Sequence, residues 1–235
     1  MARFHFKKFS LNDDNTPMKI GMDSVMLGAW AEVPQGARSA LDIGSGCGLL
    51  SFMLAQRYEN LKVTGVEINE GAFEDSLRNL ADFYKKENVK FIKADIRELA
   101  LGEKFDYIIS NPPYFGEKTI SPHKGRAEAR SQGRLDFEIL AENVKRFLNL
   151  KGSFAVIIPK ETFFDFSKSM ISHGLFLNRK TQIRHYPHSQ VKRLLLEYGF
   201  TSAELTEDEL VIKTKDGFYT KEYKELTGDF YVRWT

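Results

Sequence analysis

Short apolar runs alternate with longer segments of helical periodicity over residues 39–160. The runs with the length and composition of buried strands are Ser39–Ile43, 61–67, Val89–Lys93, Phe105–Ser110 and 153–159. Apolar residues recur at helical spacing from residue 49, over 69–85 and over 136–148. Because strands that alternate with helices form parallel βαβ units, this pattern predicts an α/β protein with a mostly parallel sheet.

The helix predicted over 69–85 has a candidate N-cap, Asn69. Its apolar stripe is predicted to face the core and consists of Phe73, Leu77, Leu80, Ala81 and Tyr84. Near the end of the chain, 180–186 and 191–198 have the pattern of two longer strands, which we expect to form an antiparallel sheet edge.

The chain shows no repeat, low-complexity tract or linker, so we expect a single domain. Its predicted parts are an amino-terminal extension with a helix (1–36), a core (37–200) and a carboxy-terminal extension (201–235).

A glycine-rich loop follows the first strand of this core, and a helix begins directly after it. Gly44, Gly46 and Gly48 alternate with Ser45 and Cys47. Glycine lets the backbone turn sharply and lets a ligand approach main-chain amides that a Cβ would screen. The amino end of the helix adds partial positive charge. The spacing differs from the GxGxxG dinucleotide fingerprint, which argues against NAD.

Two acidic residues follow the next two strands. Glu67 comes about twenty positions after the loop, where a ribose-binding carboxylate belongs in a nucleoside-binding βαβ unit. Asp95 lies at the same predicted sheet edge and could accept a hydrogen bond from an adenine amino group. Each has a structural alternative: Glu67 as a solvated loop acid or a charge at a helix start, and Asp95 as the cap of a helix over 96–99.

The segment Asn111-Pro112-Pro113-Tyr114 directly follows the strand Phe105–Ser110. A residue before proline avoids the helical region, so Asn111 and Pro112 should be extended where the strand ends. A carboxamide oxygen, a main-chain oxygen and an aromatic face then meet at the carboxyl end of a strand, where open α/β sheets bind ligands. The segment predicts a site that methylates a planar amine; a rigid turn without chemistry is the alternative.

Together these motifs resemble those of Rossmann-like S-adenosylmethionine-dependent methyltransferases: residues 42–48, Glu67, Asp95 and 111–114. The block 18–30, with 6–9 before it and 111–115 later, is more particular and resembles the bacterial tRNA-valine adenine-N6 methyltransferase family. The resemblance implies a class I methyltransferase fold: a mostly parallel seven-stranded sheet with helices on both faces and an antiparallel last strand.

The resemblance also implies S-adenosylmethionine as the cofactor and an adenine in tRNA as the acceptor, the one next to the anticodon of a valine tRNA. The implied cofactor contacts are Asp42, Gly44, Ser45, Gly46, Gly48, Glu67, Ile68, Asp95, Ile96 and Asn111. The implied catalytic residues are Asn111, Pro112, Pro113 and Tyr114: the first two orient the amine through their oxygens and Tyr114 stacks on the base.

Some assignments stay open. Asp42 could orient the glycine loop instead of approaching the cofactor's ammonium group. Lys19 and Asp23 could reach the methionine end of the cofactor, or could serve the start of a helix that runs to Trp30. Two other functions also remain: a protein glutamine N5-methyltransferase, whose amide acceptor needs the same oxygens, and a catalytically inactive RNA-binding protein that keeps the fold.

Basic residues favour RNA as the partner although the formal net charge is only +2. The residues predicted to bind RNA are Lys7, Lys8, Lys118, Lys124, Arg126, Arg130 and Arg134. A further cluster that could bind phosphate comprises Arg179, Lys180, Arg184, Lys192 and Arg193. A solvated basic surface is the alternative for any one cluster, and a peptide acceptor would not require them.

Bulk properties narrow the class further. The 235 residues are 42% hydrophobic without an apolar run of membrane-spanning length, so no membrane association is expected. No apolar segment of a secretory signal follows the first residues, and a single cysteine, Cys47, suits a reducing cytoplasm. The five histidines lack metal-ligand spacing, so no metal is expected. We expect a cytoplasmic monomer.

Overall fold

The computed structural model describes residues 3–113 and 137–234. Its strands are β1 Phe4–His5, β2 Ser10–Leu11, β3 Ser39–Ile43, β4 Lys62–Glu67, β5 Val89–Lys93, β6 Phe105–Ser110, β7 Leu148–Pro159, β8 Phe176–Arg184, β9 Val191–Gly199 and β10 Thr206–Val211. Its α-helices are α1 Met22–Trp30, α2 Leu49–Arg57, α3 Glu70–Ala81, α4 Phe137–Phe147, α5 Phe163–Ser172 and α6 Lys221–Thr227.

Eight of the strands form one sheet, in the order β10-β8-β9-β7-β6-β3-β4-β5. Strand β9 runs antiparallel to β7 and β8, and the other neighbours in this sheet are parallel. The predicted mostly parallel sheet is confirmed, but the antiparallel strand is β9 and not the last strand as predicted, because β10 follows it and pairs parallel to β8. The predicted count of seven is wrong, because β10, from the segment assigned to the carboxy-terminal extension, adds an eighth strand beside β8.

The central strands are apolar on both faces because helices cover both sides of the sheet. In β6, Tyr107 and Ile109 belong to the hydrophobic cluster under α1, α2 and α6, whereas Ile108 belongs to the cluster under α4 and α5. All three side chains are fully buried. The bounds of β3, β5 and β6 agree with the sequence prediction, while α5 was not predicted.

Helix α3 buries a different face from the predicted one. In the predicted stripe, Leu77 and Tyr84 are 43% and 48% exposed, and the helix ends at Ala81, before Tyr84. The buried positions are Ala72, Asp75, Ser76 and Asn79. Asn69 does cap the helix, as predicted, by accepting a hydrogen bond from the Ala72 amide at 3.0 Å.

This polar face holds the amino-terminal segment, residues 12–16. Asp75 accepts hydrogen bonds from the Asn15 amide at 2.8 Å and the Thr16 hydroxyl at 2.9 Å. Asn79 accepts from the Asn12 amide and donates to the Asn12 carbonyl, both at 2.8 Å. These polar side chains can be buried because their partners replace water.

The bonds that anchor Asp75 also set its charge state. Burial alone would raise the pKa of this carboxyl, but hydrogen bonds from Thr16, Arg78 and the Asn15 amide outweigh it and lower the pKa below its ordinary value. The carboxylate therefore stays ionised and keeps its role as an acceptor.

In the described ranges, every helix is too short or too polar to cross a membrane.

We expect Asp75→Ala to lower the free energy of unfolding by about 3 kcal/mol, because it leaves the buried hydrogen-bond donors of Asn15 and Thr16 without an acceptor. The control is Asp82→Ala. Asp82 is exposed and forms a surface ion pair with Arg3, so this variant should lower the free energy of unfolding by less than about 1 kcal/mol. Urea unfolding measures both. Equal losses would show that Asp75 is not an anchor.

Candidate active site

A cavity of about 240 Å³ lies at the carboxyl ends of β3, β4, β5 and β6. Four stretches that follow these strands line it: 43–47, 66–69, 94–97 and 111–113. Residues 16–20 and Ser24 line the other side, so the amino-terminal segment held by α3 closes the cavity. This is the edge where ligands bind in open α/β sheets.

The glycine loop and the end of β4 are tied to each other. The amides of Gly44 and Ser45 donate to the Val66 carbonyl at 2.9 and 3.1 Å. Glu67 accepts from the Gly46 amide at 2.8 Å with one oxygen and from the Asn69 amide at 2.7 Å with the other. Glu67 therefore fixes both the loop and the start of α3, and it lines the cavity.

Two residues predicted to contact the cofactor do not line the cavity, so their contact with it stays a prediction. Gly48 precedes α2 with φ at +94°, and a Cβ there would lie 2.6 Å from the Phe91 ring and 2.7 Å from the Phe52 ring. Asp42 is fully buried and accepts hydrogen bonds from the amide and hydroxyl of Ser51 at 3.1 and 2.7 Å. Both residues shape the strand-to-helix turn, and Asp42 acts on α2 rather than on loop amides.

Desolvation by burial raises the pKa of Asp42 to about 7, against the opposing effect of the bonds from Ser51. The neutral acid is therefore favoured at higher pH than for an exposed aspartate. Its buried Oδ1 has no hydrogen-bond partner in the described ranges, which adds to the penalty on the charged form.

Asp95 lines the cavity, and it also has part of the alternative role considered for it, as the cap of the segment that follows. It accepts from the Arg97 amide at 3.0 Å, and its oxygens accept from the Arg97 Nε at 2.9 and 2.8 Å. The hydrogen bond from the Arg97 side chain is the largest influence that lowers the pKa of Asp95. The capped segment is a turn rather than the helix considered over 96–99. Ile68 and Ile96, also predicted to contact the cofactor, line the cavity nearby.

Asn111 lies where β6 ends, at the side of the cavity away from β5. The preceding Ser110 donates to the Ile43 carbonyl at 2.8 Å, which ties β6 to β3. Asn111 Nδ2 donates to the Ser24 hydroxyl at 2.7 Å. Pro112 and Pro113 also line the cavity. Ser24 was not singled out by the sequence reasoning, although it stands within the block 18–30 that carried the family resemblance.

Lys19 and Asp23, whose roles the sequence did not decide, have different positions in the structure. Lys19 lines the cavity, and its ammonium group donates to the carbonyls of Asp13 and Asp14. Asp23 does not line it; its carboxylate pairs with the Arg193 guanidinium at 2.7 Å. Asp23 therefore serves the first turn of α1 and its contact with β9.

Several predicted residues lie outside the described ranges: Tyr114, Lys118, Lys124, Arg126, Arg130 and Arg134. Lys7 and Lys8 are exposed, and Lys7 donates to the Gly228 carbonyl. Most of the late basic cluster forms ion pairs: Arg179 with Glu32, Lys180 with Glu207, Arg184 with Glu209 and Arg193 with Asp23. Its surface charge is therefore smaller than the sequence indicated. Within the described ranges, no group of His, Cys, Asp and Glu side chains has the arrangement of a metal site.

The sheet order, the glycine loop and the cavity at the carboxyl edge define a Rossmann-like S-adenosylmethionine-dependent methyltransferase. Residues 26–160 match the family model described as methyltransferase small domain. The chain is 39% identical to the tRNA1(Val) (adenine(37)-N6)-methyltransferase of Phocaeicola vulgatus over 97% of each chain, and 36% identical to that of Christiangramia forsetii over 98% of each. The chain belongs to this methyltransferase family.

Solved structures support the fold. A predicted O-methyltransferase from Agrobacterium tumefaciens superposes with a TM-score of 0.68 at 21% identity, covering 88% of this chain and 96% of its own. A class I S-adenosylmethionine-dependent methyltransferase from Listeria monocytogenes gives 0.59 at 18% identity, covering 85% and 67%. At these identities the likeness concerns the architecture alone.

Because the folded-state pKa of Asp42 is raised, the native state holds a proton that the unfolded chain releases between about pH 4 and 7. This group therefore lowers stability as pH rises through that window. We expect Asp42→Asn, which cannot titrate, to gain stability relative to the parent from about pH 4 to 7. Urea unfolding across that range measures the difference, with Asp82→Asn as the exposed control. A difference that is constant with pH would contradict the assignment.

Proposed function

We propose that this protein transfers the methyl group of S-adenosylmethionine to N6 of an adenine in tRNA, the adenine next to the anticodon of a valine tRNA. The observation that carries the proposal is Asn111, which lines the cavity and donates a hydrogen bond from its carboxamide to Ser24. Relatives that bear this activity in their names, at 32–39% identity over nearly the whole chain, support the choice of acceptor.

The cavity residues fit the cofactor. The Ser45 hydroxyl is buried in the cavity wall with no hydrogen-bond partner in the described ranges, so a bound polar ligand would satisfy it. Glu67, already oriented by two amides, would accept from the ribose hydroxyls with its remaining lone pairs. Ile68 and Ile96 would flank the adenine, and Asp95 would accept from its amino group. When bound, the cofactor supplies an electrophilic methyl group on a positively charged sulfur.

The acceptor amine is a poor nucleophile because its lone pair is delocalised into the purine ring. Asn111 Oδ1 and the Pro112 carbonyl would each accept one N–H, which favours a pyramidal nitrogen with its lone pair directed toward the cavity. No strong base is then needed, because the proton becomes acidic once nitrogen carries the new bond and can leave to water. Tyr114 is proposed to stack on the base, although it lies outside the described residues.

Ser24 is proposed as a positioning residue. By accepting from Asn111 Nδ2 at 2.7 Å, it engages the amide nitrogen and holds the carboxamide in the orientation that the proposed hydrogen bond from the amine to Oδ1 requires. A flipped carboxamide would present a donor to a donor. The hydrogen bond therefore acts on the chemical step rather than on cofactor binding.

The oxygens of Asn111 and Pro112 would also suit the amide group of a glutamine side chain, but the names of the relatives favour tRNA as the substrate. The cavity and Asn111 oppose an inactive RNA-binding role. We further propose that the protein acts as a monomer in the cytoplasm, where tRNA is modified.

Comparison of digested tRNA from cells with and without this protein tests the acceptor. We expect N6-methyladenosine to disappear from a valine tRNA in its absence and to return with the parent gene but not with Asn111→Ala. Mass spectrometry of the nucleosides is the measurement. Unchanged tRNA, with a methyl group missing from a glutamine residue in the proteome, would replace the proposal with the protein acceptor.

For the positioning role, we expect Ser24→Ala to lower kcat about tenfold, the loss of roughly one hydrogen bond, while Ser24→Thr retains most activity. Asn111→Ala should lose at least about a hundredfold. Calorimetric affinity for S-adenosylmethionine should be nearly unchanged in all three. If Ser24→Ala weakens cofactor binding and leaves kcat intact, Ser24 only closes the cavity.

A further inference from the structure

A second cavity, of about 280 Å³, lies at the same edge of the sheet. Its floor is apolar and includes Met22, Met26 and Ile183. Its rim carries His185, Lys192 and Arg193. None of these residues has a role in the site described above.

The second cavity adjoins the acceptor site through helix α1. In its first turn, Asp23 binds Arg193 at 2.7 Å, and the next residue, Ser24, binds Asn111 at 2.7 Å. The sheet gives the same placement: Arg193 of β9 pairs with Pro159 at the end of β7, and β7 lies beside β6, which Asn111 follows. Two strand spacings separate them, about 10 Å. A nucleotide adjoining a base at Asn111 can span this distance.

The composition of this cavity suits a nucleotide better than an isolated anion. Methionine and isoleucine side chains offer an adaptable apolar surface to a base or ribose. Lys192 is exposed at the rim and offers an ammonium group to a phosphate. Arg193 is half-buried, and Asp23 fixes its guanidinium group through Nε. Among the described residues, Lys192 is the member of the late basic cluster that forms no ion pair, whereas the others pair with acidic side chains: Arg179, Lys180, Arg184 and Arg193.

We propose that this cavity is a second nucleotide subsite, which binds the RNA nucleotide adjoining the methylated adenine and places its phosphate against Lys192. The inference rests on the proposed function, since it takes the acceptor to be RNA. It adds a contact that would hold the strand while the neighbouring base is in the first cavity.

The test is a cycle that changes both partners of the proposed contact. An anticodon stem-loop RNA with an unmodified target adenine is prepared with native phosphates, or with a neutral methylphosphonate on either side of that adenine. Its binding to the full-length parent, to Lys192→Gln and to Lys151→Gln is measured by fluorescence anisotropy. Lys151 is the matched control, an exposed lysine near the opposite end of β7.

At one of the two positions, the methylphosphonate should weaken binding roughly three- to tenfold for the parent and Lys151→Gln, but hardly at all for Lys192→Gln. The slope of log affinity against log salt should fall by about 1 in Lys192→Gln. Equal sensitivity of all three proteins at both positions would overturn the subsite.

Methyl transfer to the same RNA separates the two proposals. If the parent methylates the adenine while Lys192→Gln behaves like Lys151→Gln in every binding experiment, the subsite is wrong and the function stands. If Lys192→Gln shows the expected pattern but no adenine is methylated, the subsite is supported and the proposed function fails. If the parent neither binds nor methylates the RNA, both fail.

Discussion

Buried hydrogen bonds between helix α3 and residues 12–16 are the constraint on which the rest of the site depends. Asp75 and Asn79 hold this segment across the carboxyl edge of the sheet. From there the chain passes through residues 16–20, which close the cavity, into the first turn of α1. That turn brings Ser24 to Asn111 and Asp23 to Arg193. A polar helix face thus anchors the segment that leads to Ser24 and its hydrogen bond with Asn111.

This constraint could not be predicted from the sequence, although much of the sheet could. Strands β3 and β6 are mostly apolar because both of their faces are buried, and the ends of these apolar runs mark the ends of the strands. In α3 the periodicity rule failed, because it takes apolar positions as buried and polar ones as solvated. Asp75 and Asn79 find their partners more than fifty residues earlier in the chain, and a local pattern does not contain that information.

Contacts between residues far apart in the sequence also explain the other differences between the predictions and the structure. The cluster 179–193 is basic along the chain, but the parallel pairing of β10 with β8 brings Glu207 and Glu209 beside Lys180 and Arg184. Gly48 and Asp42 belong to a loop motif that predicts ligand contact, yet their positions around the turn give them packing and helix-orienting roles. The proposed methyl-acceptor site was predicted from the Asn-Pro-Pro segment, because proline restricts the backbone regardless of tertiary context, and the roles of these residues stay a prediction.

The central claim is that Asn111 Oδ1 and the Pro112 carbonyl hold the two hydrogens of an adenine amine. A crystal structure of the protein with S-adenosylhomocysteine and an anticodon stem-loop RNA tests it most directly. The account predicts the adenine N6 within about 3 Å of both oxygens, with the base turned out of its stack. An N6 beyond hydrogen-bonding distance of both oxygens, with the base outside the cavity, would contradict it.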